Sequence, residues 1–368
     1  MLRTIHMSDT ERLLILNMVE DLGSVRTQAL LKHFGSLARV FRASEDELKM
    51  AEGIGPKIAP KIVQSIKDIN IDKELGLIKQ YGIKVITFLD RDYPKNLKNI
   101  YDPPVVLYVK GEILPEDDVA ISIVGSRLAS FYGRQTSEKF GYELASRGIT
   151  VVSGLARGID SSAHKGALKA KGRTLAVLGS GLLNIYPEEH RGLADEISER
   201  GAVISEFPMR TIPDHGNFPK RNRVISGLSL GTVVVEAAQK SGALITADCA
   251  LEQGRDVFSV PGKVDSTTSK GTNKLIKQGA KLAETVHDVL EELRLEDGSR
   301  SLESRQLGCV GLDKRENIVY NLLSSDPQHI DELCEEAGMG ISDVSRILLN
   351  LEMKRFVRQL PGKTFVKV

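Results

Sequence analysis

Several glycine turns that carry a basic residue follow directly on short apolar runs in this chain. They are Gly125-Ser126-Arg127, Ser153-Gly154-Leu155-Ala156-Arg157-Gly158 and, with no base of its own, Gly179-Ser180-Gly181. Small residues let a ligand approach the backbone, and a helix that starts just after such a turn offers N–H donors and positive potential. Arg127 and Arg157 add planar cationic forks suited to phosphate oxygens. A further basic set lies in Phe218-Pro219-Lys220-Arg221-Asn222-Arg223, read as a loop leading into a helix. Cations beside an accessible ring suit single-stranded nucleic acid, because the charges track the backbone while a base stacks on the ring. Two plainer readings stand beside this one: Phe218 as a core anchor, and Arg221 or Arg223 pinning the loop by pairing with Glu206 or Glu236.

Other chemistries find less support. No G-x-x-x-x-G-K-[ST] phosphate loop and no G-x-S-x-G nucleophile elbow occur, and Gly179-Ser180-Gly181 lacks the full dinucleotide fingerprint. Asp160 and His164 stand at i, i+4 without a third ligand, which favours a capping carboxylate and a hydrogen-bonded imidazole over a metal. His190, after Tyr186-Pro187, reads as a loop or packing residue. Cys249, Cys309 and Cys334 are widely spaced and odd in number, as expected of reduced thiols in a cytoplasm. No cofactor and no metal are expected.

The elements that must position these turns follow from the apolar rhythm. Runs at about 119–124, 149–152, 174–178, 202–205, 232–235 and 256–260 alternate with helix-like segments. Continuous apolar strands between helices predict α/β architecture, a Rossmann-like doubly wound parallel sheet spanning 75–290. Ligands of such sheets bind beyond the carboxyl ends of the strands, where the turns above fall. Two more strands are expected at 84–89 and 105–109. Residues 1–72 read as short helices with glycine hairpins, the second being Gly53-Ile54-Gly55-Pro56-Lys57-Ile58, of the helix-hairpin-helix, SAM-like kind. Their acids and bases balance at 10 each. Residues 292–312 read as a polar linker, and 313–368 as a winged helix whose recognition segment, 342–352, is poor in bases. Helices around 182–185 and 244–251 are candidates for self-association.

With 368 residues, 41% hydrophobic and 27% charged, the chain has the make-up of a multidomain globular protein. No apolar run is long enough for a membrane span, and no secretory leader is evident. A net charge of +1 excludes coating of nucleic acid by bulk charge, so any such binding needs a local patch.

Taken in order, Ile123–Arg127, Ser153–His164, Phe218–Ser229, Val235-Glu236-Ala237 with Ser241-Gly242-Ala243, and Gly254–Gly262 resemble the DNA-processing protein A family, also called Smf. The resemblance implies a non-catalytic cytoplasmic protein of natural transformation that binds incoming single-stranded DNA, forms a homodimer and loads the RecA recombinase. Its site would comprise Gly125, Ser126, Arg127, Ser153, Gly154, Arg157, Gly158, His215, Phe218, Lys220, Arg221, Asn222 and Arg223. Two other readings compete. One is an enzyme of the nucleotide phosphoribohydrolase type, echoed by Gly231-Thr232-Val233-Val234-Val235-Glu236 without the preceding Pro-Gly-Gly turn. The other is a structural adaptor with no salt-dependent DNA binding. The family often has a lysine where this chain has His215, so binding is expected to tighten on the acid side of neutrality. Titration of oligo(dT) at two pH values checks this: a difference that persists in His215→Ala assigns the effect to another group.

Overall fold

The computed structural model describes residues 7–295, 314–323, 328–354, 356–360 and 362–367. The chain divides into two compact units, Met1–Gly298 and Ser299–Val368. The expected linker at 292–312 begins in the last residue of the helix Val286–Glu292, and from 296 onward lies outside the described residues, as does Cys309.

The larger unit opens with six helices, Asp9–Asn17, Gly23–Phe34, Leu37–Val40, Glu45–Leu48, Ala59–Asp68 and Ile71–Gln80. Local chemistry sets their starts and stops. Ser8 with Glu11 and Ser44 with Glu47 form capping boxes, and Gly35 ends the second helix in the left-handed region at φ 72°. Their buried residues, among them Leu13, Leu30, Val40 and Ile62, share one core with Val106, Tyr108, Ala176, Leu178 and Val203 of the sheet. The expected boundary between 72 and 75 therefore falls inside a helix, and the helical segment packs directly on the sheet.

That sheet has nine strands: β1 (Lys84–Thr87), β2 (Val106–Gly111), β3 (Ala120–Val124), β4 (Thr150–Ser153), β5 (Thr174–Leu178), β6 (Ala202–Ser205), β7 (Gly231–Val234), β8 (Asp256–Ser259) and β9 (Lys281–Leu282). Their order is β1-β2-β6-β5-β4-β3-β7-β8-β9. Strands β3 to β9 pair in parallel, whereas β2 runs antiparallel to β6 and β1 antiparallel to β2. The expected parallel sheet is present in β3 to β9, and the two additional strands join it as an antiparallel edge. A six-residue strand entering from the proline-rich lead-in meets β6 head to tail, with no crossover helix to reverse it. The order reverses between β3 and β7, which makes their carboxyl ends the topological switch point.

Between the crossovers, the helices Phe131–Ser146 and Ile159–Lys169 lie against each other at unusually short range. A Cβ on Gly141 would stand 2.3 Å from the carbonyl oxygen of Ala163, and one on Gly166 2.1 Å from that of Glu138. Residues 182–185, expected as a helix, form a turn instead. Helix Gly242–Glu252 does form and exposes Ile245 and Leu251.

The smaller unit has helices Lys314–Leu322, Ile330–Ala337 and Ile341–Met353 with three strands, β10 (Gln328–His329), β11 (Val357–Leu360) and β12 (Thr364–Lys367), ordered β10-β12-β11. This is a winged helix with one short strand more than expected. Its core is Val319, Leu333, Val344, Leu348, Leu351 and Phe365. On its third helix Arg346 faces Asp343 at 3.5 Å, and Glu352 accepts the backbone N–H of Gln359.

The glycine contact between the two long helices gives a stability test. Alanine at Gly166 gains roughly 1 kcal/mol in helix propensity, but its methyl group must push a backbone carbonyl away. Gly166→Ala should therefore lose about 1–3 kcal/mol of unfolding free energy, read from urea denaturation.

Candidate nucleic-acid interface

At the carboxyl ends of β3, β4 and β5 a small crevice is lined by Arg127, Gly154, Ala156, Arg157, Tyr186, Pro187, Phe218 and Arg221. Each wall has a distinct origin. The turn after β3 carries Arg127 outward, because Ser126 donates its N–H to Glu236 O at 2.7 Å and its carbonyl lies against Gly158. Gly158 has φ +79°, and a Cβ there would stand 2.3 Å from Ser126 O, so the two turns close on each other only with glycine at this position. Gly125 is similarly close to Ile159.

The turn after β4 is held from three sides. Asp160 accepts N–H bonds from Gly154 and Ala156 at 3.2 and 3.4 Å. His190 donates Nδ1–H to the carbonyl of Leu155 at 2.8 Å, where the backbone has φ 59°. Arg221 donates Nη1–H to Gly154 O at 2.7 Å and to Val177 O at 2.5 Å. Burial pushes the Arg221 guanidinium down to about 10, opposed by the nearby Asp160 carboxylate. Burial likewise raises Asp160, which Arg221 and the two backbone donors counteract.

The basic segment after β6 is helical from Asn217 to Gly227, so its cations do not share one fate. Lys220 points to solvent. Arg221 and Asn222 are buried, the latter donating to Gly242 O at 3.3 Å. Arg223 is paired with Asp102 at 3.0 Å and with Glu206, and donates to the carbonyl of Asp102 at 2.6 Å. Ser153 donates its hydroxyl to Ile123 O. Helical periodicity turns Arg221, Asn222 and Arg223 inward, so their side chains bind protein, and Ser153, at the end of β4, spends its hydroxyl on the neighbouring strand. Arg157 reaches the crevice but pairs with the exposed Glu189. His215 is exposed and is not among the lining residues.

Two groups remain poised for a ligand. The Arg127 guanidinium sits 4.9 Å over the Phe218 ring and has no hydrogen bond or ion pair among the described residues. Phe218 packs on Gly179, where a Cβ would stand 2.7 Å from the ring, and its ring centroid lies 5.8 Å from that of Tyr186. Anchor and accessible ring are therefore one residue. Tyr186 had no sequence signal beyond its neighbouring proline. The inward turn of Arg221 did have one, since it lies three, four and seven residues before Val224, Ile225 and Leu228, all buried.

At the switch point itself the seat is filled. Glu236, buried, accepts the N–H of Ser130 at 2.8 Å and its hydroxyl at 2.6 Å, with Thr268 at 3.3 Å. This carboxylate occupies the N-terminal end of the helix after β3, where a Rossmann fold seats a pyrophosphate. Gly133 is needed beside it, because a Cβ there would stand 2.4 Å from the carboxylate.

Beneath the crevice, His164 is fully buried. Thr174 gives its hydroxyl proton to Val151 O, so His164 donates Nδ1–H to Thr174 at 2.7 Å. Nε2 then carries a lone pair with no partner. Burial, with His190 and Arg221 nearby, lowers this imidazole from 6.5 to about 3. The unfolded chain takes up a proton below 6.5 that the folded chain refuses until about 3. This contribution to stability is complete above the unfolded value and is lost as pH falls between the two, at up to about 1.4 kcal/mol per pH unit. Urea midpoints measured across that range should fall less steeply for His164→Asn than for the parent.

Comparison with known proteins follows the same outline. The family model for DNA recombination-mediator protein A matches residues 84–294, a DprA winged-helix model residues 310–363, and a SAM-like helix-hairpin-helix tandem residues 13–68. Protein Smf of Escherichia coli is 41% identical over 80% of this chain and 80% of its own length. Protein Smf of Synechocystis is 34% identical over 94% of this chain and 96% of its own. The solved structure of DNA processing protein A from Streptococcus pneumoniae, 33% identical, superposes with a TM-score of 0.68 over 78% of this chain and 98% of that one. That of DNA processing protein A from Helicobacter pylori, described for its single-stranded DNA binding mode, is 28% identical with a TM-score of 0.53 over 59% and 98%. Sheet, hairpin helices and winged helix thus all point one way, and the chain belongs to the DNA recombination-mediator protein A family.

Proposed function

We propose that this chain binds single-stranded DNA in the strand-end crevice, and that it does so as a homodimeric, non-catalytic recombination mediator that protects incoming DNA and loads RecA onto it during natural transformation in the cytoplasm. The observation that carries the reading is Arg127, exposed and unpaired among the described residues, over the face of Phe218. A phosphate on the guanidinium and a base on the exposed side of the Phe218–Tyr186 pair satisfy both groups at once. Lys220, exposed two residues beyond Phe218, extends the positive path, and Gly125, Ser126, Gly154 and Gly158 act by closing the two turns on each other and on Arg221, which fixes the crevice wall the strand would meet. The Helicobacter relative's described binding mode supports the same ligand. Among the described residues no helix is long and apolar enough to cross a membrane.

The phosphoribohydrolase alternative is not favoured. It needs a glutamate that reaches substrate at the switch point, and Glu236 is buried and held by Ser130 and Thr268. Pyrophosphate would have to displace a carboxylate already hydrogen-bonded in its place.

Anisotropy of labelled oligo(dT) against duplex of equal length, across a salt series, tests the proposal. Single strands should bind more tightly. Arg127→Ala should weaken them about tenfold or more and reduce the log–log salt slope by about 0.7. Equal binding of duplex, or an unchanged slope in the variant, contradicts the assignment.

A further inference from the structure

Directly after Arg127 in sequence, the chain displays large apolar side chains to water. Leu128 is 87% exposed, Phe131 69% and Tyr132 56%. They are held out rather than merely loose. Ala129, between them, is buried in the core, and Ser130 is clamped through its N–H and its hydroxyl to Glu236. Arg134 closes the turn by donating to the carbonyl of Ala129 at 2.8 Å. The two rings thus stand on the first turn of the helix Phe131–Ser146, at the carboxyl edge of the sheet. From residue 125 to 137 there are two arginines and no acidic residue.

We propose that Leu128, Phe131 and Tyr132 form a second base-stacking ledge, which takes the nucleotides of a single strand that leave the Arg127–Phe218 crevice. The inference rests on the proposed function and extends its site. Rings stack on any base, and a backbone fixed before binding keeps the ordering cost low. Arg127, just before Leu128, and Arg134, two residues after Tyr132, are both exposed and supply charges that track phosphates, and Arg127, which also lines the crevice, ties the ledge to that site and so sets the ligand. A second copy of this chain would also cover apolar surface, but it gains nothing from two flanking arginines without acids. Exposed rings of this kind otherwise carry a solubility cost with no return.

The chain contains no tryptophan, so Phe131→Trp introduces a single indole reporter. Its emission should be quenched by a long oligo(dT) and not by a trinucleotide that fits the crevice alone. The double substitution Phe131→Ala with Tyr132→Ala should weaken long oligo(dT) by about tenfold or more and leave the trinucleotide unchanged, while Phe131→Trp alone keeps full affinity. Unaltered affinity of the double variant, with no quenching of the indole although anisotropy shows the long strand bound, overturns the ledge and leaves the crevice intact. A change of oligomeric state by light scattering with DNA affinity preserved overturns it in favour of a protein contact. Failure of the unaltered chain to bind any oligo(dT) overturns the proposed function itself, and the ledge with it.

Discussion

The buried guanidinium of Arg221 is the interaction on which the crevice depends. It ties the helix Asn217–Gly227 to the turn after β4 through Gly154 O and to the end of β5 through Val177 O. Removing a charge from water is costly, and here carbonyl acceptors, Asn222 Oδ1 and the field of Asp160 offset that cost. Gly154 has to be glycine for the same reason, since a Cβ there would stand 2.1 Å from Nη1. With Arg221 and Asp160 facing each other across the turn, Ala156 and Arg157 are presented to solvent in a fixed orientation. Loss of Asp160 would leave the Arg221 charge in the interior with neutral hydrogen-bond acceptors only, and loss of Arg221 would leave Asp160 with its two backbone donors and no nearby buried cation.

A division of labour among cations follows. Arg221 and Arg223 build the wall, whereas Arg127 and Lys220 remain for a ligand and Arg157 stands between, tied to an exposed glutamate that water and ligand can displace. Glu236 completes the arrangement by filling the helix N-terminus that the fold would otherwise offer to a dinucleotide. In the proposed function the anion therefore binds at the neighbouring turns, beside an aromatic pair, and not on the helix dipole at the switch point. A long polymer suits such an open, shallow site better than a small cofactor does.

Much of the sheet was legible because buried parallel strands are continuous apolar runs, and the glycine turns after them follow from close approach. The antiparallel pair β1 and β2 was legible as two strands but not in direction, which depends on where the chain enters the sheet. The packing of the helices on the sheet was not legible: residues 72–75 lie within Ile71–Gln80, and the helices and the sheet share a core. Within the site, charge type alone grouped Lys220, Arg221 and Arg223, although a period of 3.6 residues separates them. Arg221 lies on the stripe of Val224, Ile225 and Leu228, and that pattern was available in the sequence. The partners of Arg223, Asp102 and Glu206, come from distant segments; Glu206 could be guessed, Asp102 could not. Tyr186 enters the crevice only through the path of its loop.

The most direct measurement is photo-cross-linking of the intact chain to an oligonucleotide containing 4-thiothymidine, with the adducts mapped by mass spectrometry. Binding in the strand-end crevice predicts adducts on peptides containing Tyr186 or Phe218. Adducts confined to the hairpin around residues 53–58, or to the helix Ile341–Met353, would contradict it.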